Sequence, residues 1–285
     1  MFDKITQLIP TIQGEGPKVG VPSLLLRFRD CNLNCPFCDT QWSNKHTKAN
    51  FSWDDITKYL DQYPNIDNVM ITGGEPFLYA SEIGEIVSEL IKRREGQIKT
   101  VEIESNGTLI NEVNCSKLFM GVPSGKIKLS INISPKLGPE CYSESRSSPR
   151  DILATYMDNS GTLNRLVGAS SFDYIYKIVY QEDWKDYILE FLEGIRLPHD
   201  RRTPSKRIYI MPISPDYRDY DLTDPQGQFE FSNKFRKSCV DAVQFCMETG
   251  YKFSPREHVW IYLDVKNEQI EVTQDAERED NTDAE

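Results

Sequence analysis

The stretch "SLLLRFRDCNLNCPFC" (Ser23–Cys38) decides the fold. Its first six residues form an apolar run that reads as a buried strand. Cys31, Cys35 and Cys38 follow at once, on the loop that leaves the strand's carboxyl end. A closed structural zinc site takes four ligands and a disulfide takes two. Three thiols on one loop suit a metal centre with one open position. They can hold three irons of a [4Fe–4S] cube and leave the fourth for a non-protein ligand. A Cys3His zinc site is the competing reading, with His46 as the fourth donor.

Working outward, further apolar runs follow: "NVMIT" (Asn68–Thr72), "TVEIES" (Thr100–Ser105), "KIKLSIN" (Lys126–Asn132), "YIYKIVY" (Tyr174–Tyr180), "RIYIMP" (Arg207–Pro212) and "HVWIYLDV" (His258–Val265). Helical patterns lie between several of them. "SWDDITKYLDQY" opens on Ser52 as a cap, and "ASEIGEIVSELIKRR" is amphipathic with a basic end. "DWKDYILEFLEGI" and "FSNKFRKSCVDAVQFCMETG" are two more, the last closed by Gly250. Strand then helix, repeated, predicts an α/β fold with a mostly parallel sheet and right-handed crossovers, open or curled into a barrel. In such folds reactive groups gather at the carboxyl ends of the strands.

Two stretches break the pattern. Residues 137–171, with "SESRSSPR", read as an insertion or mobile loop, and residues 201–227 read as loop-rich around the "RIYIMP" strand. Residues 271–285 are almost all acidic or polar and are expected to be disordered. The expected layout is one domain over residues 1–270 with these insertions, then the tail. The formal net charge of -11 argues against a phosphate-backbone binder, so no direct nucleic-acid contact is expected. No stretch approaches the ~18 apolar residues of a spanning helix, and "MFDKITQLIPTIQGEG" lacks an apolar signal run. A soluble, cytoplasmic protein away from membranes is expected. Of the seven cysteines, the four outside the cluster read as small buried side chains or free thiols.

Three more motifs sit at strand ends. "ITGGEP" (Ile71–Pro76) ends the second strand, "EIESNGT" (Glu102–Thr108) the third and "NISPK" (Asn132–Lys136) the fourth. Taken singly they read as a Gly-Gly turn, an Asn-Gly turn and a strand exit forced by proline. Together, and in order after the cysteines, they resemble the radical S-adenosylmethionine (SAM) superfamily. That resemblance implies a partial (β/α) barrel whose three cysteines hold a [4Fe–4S] cluster, with SAM on the open iron as the source of a 5′-deoxyadenosyl radical. It assigns Phe37, Cys38 and Asp39, Gly73, Gly74 and Glu75, Ser105 and Asn106, and Ser134, Pro135 and Lys136 to the SAM site.

"PTIQGEGPKVGVPSLLLRFRDCNLNCPFCDTQW" (Pro10–Trp42) further resembles the opening of the 7-carboxy-7-deazaguanine synthase family. Members contract the ring of 6-carboxy-5,6,7,8-tetrahydropterin with loss of ammonia. The resemblance implies that Ile12, Gln13, Gly14, Glu15 and Thr72 line the pterin site, and that Arg27 meets the substrate carboxylate. A guanidinium grips a carboxylate with two parallel hydrogen bonds, and Gln and Glu can read a pterin edge. The alternative for Arg27 is a salt bridge flanking a strand, and for "QGEG" a polar turn. Thr40 resembles a Mg²⁺ ligand, a role that suits an ion which keeps waters and borrows substrate oxygens. "GYKFSPREHVWIY" (Gly250–Tyr262) also resembles the family, so His258 either faces the substrate or is a solvent-facing strand-edge side chain. A flavodoxin-like or ferredoxin-like electron donor and a homodimer are implied as well. The rival readings are another radical SAM enzyme, such as a glycyl-radical activase, and a non-catalytic iron–sulfur binding protein.

Overall fold

The structure is a computed structural model that describes residues 2–38, 51–119, 122, 125–138, 141, 149–167, 172–195 and 206–261. Eight strands form one sheet in chain order. They are β1 (Ile5–Ile12), β2 (Pro22–Phe28), β3 (Asn68–Gly73), β4 (Thr100–Ser105), β5 (Lys128–Ile133), β6 (Phe172–Tyr180), β7 (Ile208–Pro212) and β8 (Lys252–Phe253). β1 runs antiparallel to β2, and every later pairing is parallel. Parallel strands in unbroken sequence order need right-handed crossovers that all land on one face. The sheet therefore curls with helices outside, and has no reversal point of the doubly wound kind. Among the described residues no pairing joins β8 to β1, so this is the partial barrel expected.

The crossover helices are α1 (Trp53–Gln62), α2 (Ala80–Arg93), α3 (Glu112–Phe119), α4 (Pro149–Val167), α5 (Lys185–Gly194) and α6 (Pro225–Thr249), with a short α7 (Glu257–Ile261) at the end. Ser52 caps α1 in a reciprocal box with Asp55. Gly250 ends α6 at φ 76°, in the left-handed region that glycine enters without strain.

Alternation along the strands divides the sheet's two faces. Leu24, Leu26, Val69, Ile71, Val101, Ile103, Ile131 and Ile178 point outward and are fully buried under the helices. Each contributes about 1.5–3 kcal/mol by leaving water. The inner face is different in kind. Ser23, Asn68, Glu102, Asn132 and Lys177 alternate with those residues and are buried although polar. A barrel filled only for stability would be apolar there.

Three elements depart from the expectations. "HVWIYLDV" was expected as a strand, but its described part lies in helix α7. The adjacent Val259 and Trp260 both pack on the Phe231–Phe235 cluster, whereas neighbours on a strand point to opposite faces. Residues 137–171 are not simply a loop: residues 149–167 form α4, the crossover between β5 and β6. Its buried stripe of Ile152, Tyr156, Ser160 and Leu163 includes two polar residues, which hid the helical period. β1 lies in the opening segment. Pro10 is tolerated there because β1 is an edge strand. Residues 271–285 lie outside the described residues.

Candidate active site

A cavity of about 770 Å³ opens at the carboxyl ends of the parallel strands. Register builds its walls. Arg27 on β2 stands beside Thr72 on β3, and Leu25 beside Met70. All four side chains line the cavity. Gln7 on β1 accepts a hydrogen bond from Arg27 Nε at 2.9 Å, which aims the guanidinium along the wall.

The cysteine loop forms one rim. Cys31 is exposed, Cys35 buried and Cys38 intermediate, and all three thiols are free of disulfides. All three border the cavity with Phe37, whose ring packs on Trp184 at 4.9 Å. Burial pushes the Cys31 thiol up, and Glu75, Cys35 and Cys38 add to the shift, so the thiols feel one another. Among the described residues no three donors converge as a single metal ion would require. A cube asks for less convergence, because each thiolate binds a different iron. Three thiols on one cavity rim, none of them in a disulfide, therefore fit such a cluster. His46, Asp39 and Thr40 lie outside the described residues.

The GGEP segment is pressed against the base of that loop. A Cβ on Gly73 would stand 2.1 Å from the Phe28 carbonyl oxygen, and one on Gly74 would stand 2.2 Å from that of Asp30. The backbone N–H groups of Gly74 and Glu75 donate to those carbonyls at 3.0 and 2.8 Å. The glycines let two main chains touch directly under the cysteines. Both line the cavity, but Glu75 is fully buried beneath its wall. The Glu75 carboxylate accepts from Ser105 Oγ at 2.8 Å and from the N–H groups of Asn106 and Phe77 at 2.7 and 2.9 Å. Burial raises its pKa against the pull of these donors. Glu75 thus shapes the turn that carries Ser105 and Asn106. Asn106 Nδ2 reaches Asn32 on the cysteine loop at 2.9 Å. Ser134 and Lys136 line the same side, with Lys136 Nζ on Ser134 Oγ at 3.0 Å. Pro135 is not among the lining residues.

The opposite side has a charged floor. Lys177, whose side chain is 2% exposed, reaches Glu15 at 2.7 Å and Glu104 at 2.5 Å. Arg256 Nε donates to Glu15 at 2.8 Å, and its Nη1 donates to Ser214 at 2.7 Å. Gln13 Nε2 bridges Glu102 and Glu104 at 3.2 and 3.1 Å, and its Oε1 accepts from the Glu15 N–H. Asn132 also donates to both carboxylates. Burial pushes the Glu15 carboxyl up, but Lys177, Arg256 and His258 outweigh it and hold it well below the usual range. Burial raises Glu104, Lys177 offsets this only in part, and Glu15 and Glu102 reinforce it. Burial lowers Lys177, yet its two carboxylates more than reverse the effect and keep the ammonium charged.

The C-terminal segment closes the mouth over this floor. The Glu257 N–H donates to the Gly14 carbonyl at 3.0 Å, and the Gly16 N–H donates to Ser254 Oγ at 2.7 Å. A Cβ on Gly14 would stand 2.2 Å from His258 Nδ1, so the glycine makes room for the imidazole. His258 faces the cavity from a helix and not from a strand edge. Ile12, Gln13, Gly14, Glu15, Arg27, Thr72 and His258 thus share one cavity. Gln13 spends its amide on the floor. Lys177, Glu104 and Arg256 were not anticipated. For Lys177 and Glu104 the signal was a lone Lys in "YIYKIVY" and alternating Glu in "TVEIES", polar residues in strands that otherwise read as buried.

Residues 25–130 match the radical SAM superfamily. The chain is 27% identical to a 7-carboxy-7-deazaguanine synthase of Halobacterium salinarum, over 91% of this chain and 90% of that one. It is 37% identical to a synthase of the same name from Bacteroides thetaiotaomicron, over 46% of this chain and 66% of that one. The crystal structure of QueE from Escherichia coli shares the fold, with a TM-score of 0.51 and 16% identity, covering 88% of this chain and 92% of that one. The cysteine loop and GGEP strand lie inside the matched region, so the chain carries a radical SAM domain and, over nearly its whole length, is similar to a named 7-carboxy-7-deazaguanine synthase.

Proposed function

We propose that this chain converts 6-carboxy-5,6,7,8-tetrahydropterin to 7-carboxy-7-deazaguanine with loss of ammonia, as a radical SAM carbon–nitrogen lyase. The observation that carries the reading is the shared cavity: the three cysteines line the same space as Arg27, Thr72, Glu15 and His258. Cys31, Cys35 and Cys38 would hold a [4Fe–4S] cluster, which together with SAM would supply one-electron radical chemistry. The protein's own part is to bind, orient and exclude water.

Arg27, steered by Gln7, takes the substrate carboxylate in a two-bond grip. Glu15 and Glu104, fixed by Lys177, offer acceptors to the N–H donors of the pterin. Gln13 acts through Glu104 and does not touch the ligand itself. His258 closes the pocket over Gly14. On the cluster side Phe37, Gly73, Gly74, Ser105, Asn106, Ser134 and Lys136 hold SAM, with Glu75 shaping the turn behind them. Thr40 is assigned to Mg²⁺, and a flavodoxin-like or ferredoxin-like donor and a homodimer belong to the same proposal. No helix among the described residues is long and apolar enough to cross a membrane.

The test is anaerobic turnover by the cluster-reconstituted protein with SAM, dithionite, Mg²⁺ and the pterin, read by mass spectrometry. The reading expects 7-carboxy-7-deazaguanine from the wild type and none from Cys35→Ala. Cleavage of SAM without that product would reject the substrate while leaving the superfamily in place.

A further inference from the structure

Helix α4 carries a side chain that no motif marks. Tyr156 is 1% exposed, and its ring packs edge-on against Phe191 with centroids 5.8 Å apart. Its hydroxyl accepts from the Lys136 backbone N–H at 3.0 Å and donates to the Asn106 backbone carbonyl at 3.0 Å. Asn106 belongs to the turn after β4 and Lys136 to the exit from β5. One turn further along α4, Asn159 Nδ2 donates to the Gly107 carbonyl at 2.8 Å. The two loops also meet directly, through the Ser134 N–H and the Ser105 carbonyl at 2.8 Å. Gly107 sits at φ +82°, and a Cβ there would stand 2.6 Å from Ile133 Cγ2, so the turn has little room to shift.

From this geometry we propose that Tyr156 is a positioning residue for SAM. Its one hydroxyl satisfies a main-chain donor on one loop and a main-chain acceptor on the next, which fixes the spacing between them. The side chains above those atoms, Ser105, Asn106, Ser134 and Lys136, line the cavity, whereas Tyr156 does not. The inference rests on the reading of these loops as the SAM site. It gives α4 a function: the crossover helix grips both loops from behind.

Tyr156→Phe keeps the ring and its packing and removes the hydroxyl that makes the bridge. Tyr174→Phe is the control, since the Tyr174 hydroxyl also bonds α4, at Asn164 Oδ1 2.6 Å away, and Tyr174 is not a cavity-lining residue. SAM affinity is measured by anaerobic equilibrium dialysis on cluster-loaded protein, with hydrogen exchange followed over residues 105–107 and 134–136. The expected result for Tyr156→Phe is SAM binding weaker by about five- to tenfold, faster exchange at the Lys136 amide and unchanged iron content. Tyr174→Phe is expected to bind SAM as the wild type does. Wild-type SAM affinity in Tyr156→Phe, or an equal loss in Tyr174→Phe, would overturn the inference. A cluster-loaded wild type that binds no SAM would overturn the underlying reading and this inference with it.

Discussion

Replacing Lys177 with Met tests the charged floor. The side chain is 2% exposed and lies between Glu15 at 2.7 Å and Glu104 at 2.5 Å. Met has similar length and no charge, so the substitution leaves two buried carboxylates short of a cation. Glu15 keeps Arg256, but Glu104 keeps only neutral donors, Gln13 at 3.1 Å and Asn132 at 2.9 Å, among the interactions described. Removing one partner of a buried ion pair costs about 3–5 kcal/mol, and the remaining partners put this case near the lower end. At about 2–4 °C per kcal/mol for a chain of this size, the melting temperature should fall by roughly 6–12 °C. The sign of the pH dependence follows from the direction of the shifts. Glu104 already titrates high because burial disfavours its charge, so losing the ammonium moves it higher still. Protonation of Glu104 then relieves the strain, and the deficit against wild type should shrink as pH falls. Adding Glu104→Gln to Lys177→Met removes the uncompensated charge and should recover more than half of the loss. Calorimetry of the three proteins across pH measures all of this. A loss under 2 °C, or a double variant no better than the single, would refute the reasoning.

Gly74→Ala places a Cβ 2.2 Å from the Asp30 carbonyl oxygen, so the cysteine loop must shift. Iron content after reconstitution should fall severalfold, and full loading would count against the packing described. Gly14→Ala drives a methyl into His258. The pterin KM should rise about tenfold or more while SAM affinity holds, a split that a general folding defect would not produce. Glu15 titrates well below the usual carboxylate range, so its contribution is present at neutral pH and is lost as pH falls through the depressed value. Glu15→Gln should therefore melt lower at neutral pH and show a shallower acid slope. Parallel melting curves for the two proteins against pH would contradict that assignment.

Most of the sheet was legible in the sequence because β2 to β7 bury one face under helices, which leaves apolar residues at every other position. The parallel winding followed from the alternation of those runs with amphipathic helices. The site was legible where a motif is local: the cysteines, GGEP, SNG and SPK each lie within a few residues of a strand end. The floor was not, because Gln13 and Glu104 are 91 residues apart and Arg256 and Glu15 are 241 apart. Only the curl of the sheet brings them together. Helix α4 was hidden because its buried stripe includes Tyr156 and Ser160, and polar residues at core positions blur a helical period. The run from His258 was misread because four apolar residues in a row fit a strand and one helical turn equally well.

The central claim is that one cavity holds the adenosyl radical's source on the cysteine rim and a pterin across from it. Its most direct test is label transfer. The reconstituted protein is given SAM, reductant and the pterin carrying deuterium at C6, and the 5′-deoxyadenosine is analysed by mass spectrometry. The account predicts that the 5′-deoxyadenosine gains deuterium only with the labelled substrate, and that Arg27→Ala reduces the gain strongly while SAM affinity persists. Unlabelled 5′-deoxyadenosine from a reaction that consumes SAM in the presence of the labelled pterin would contradict it.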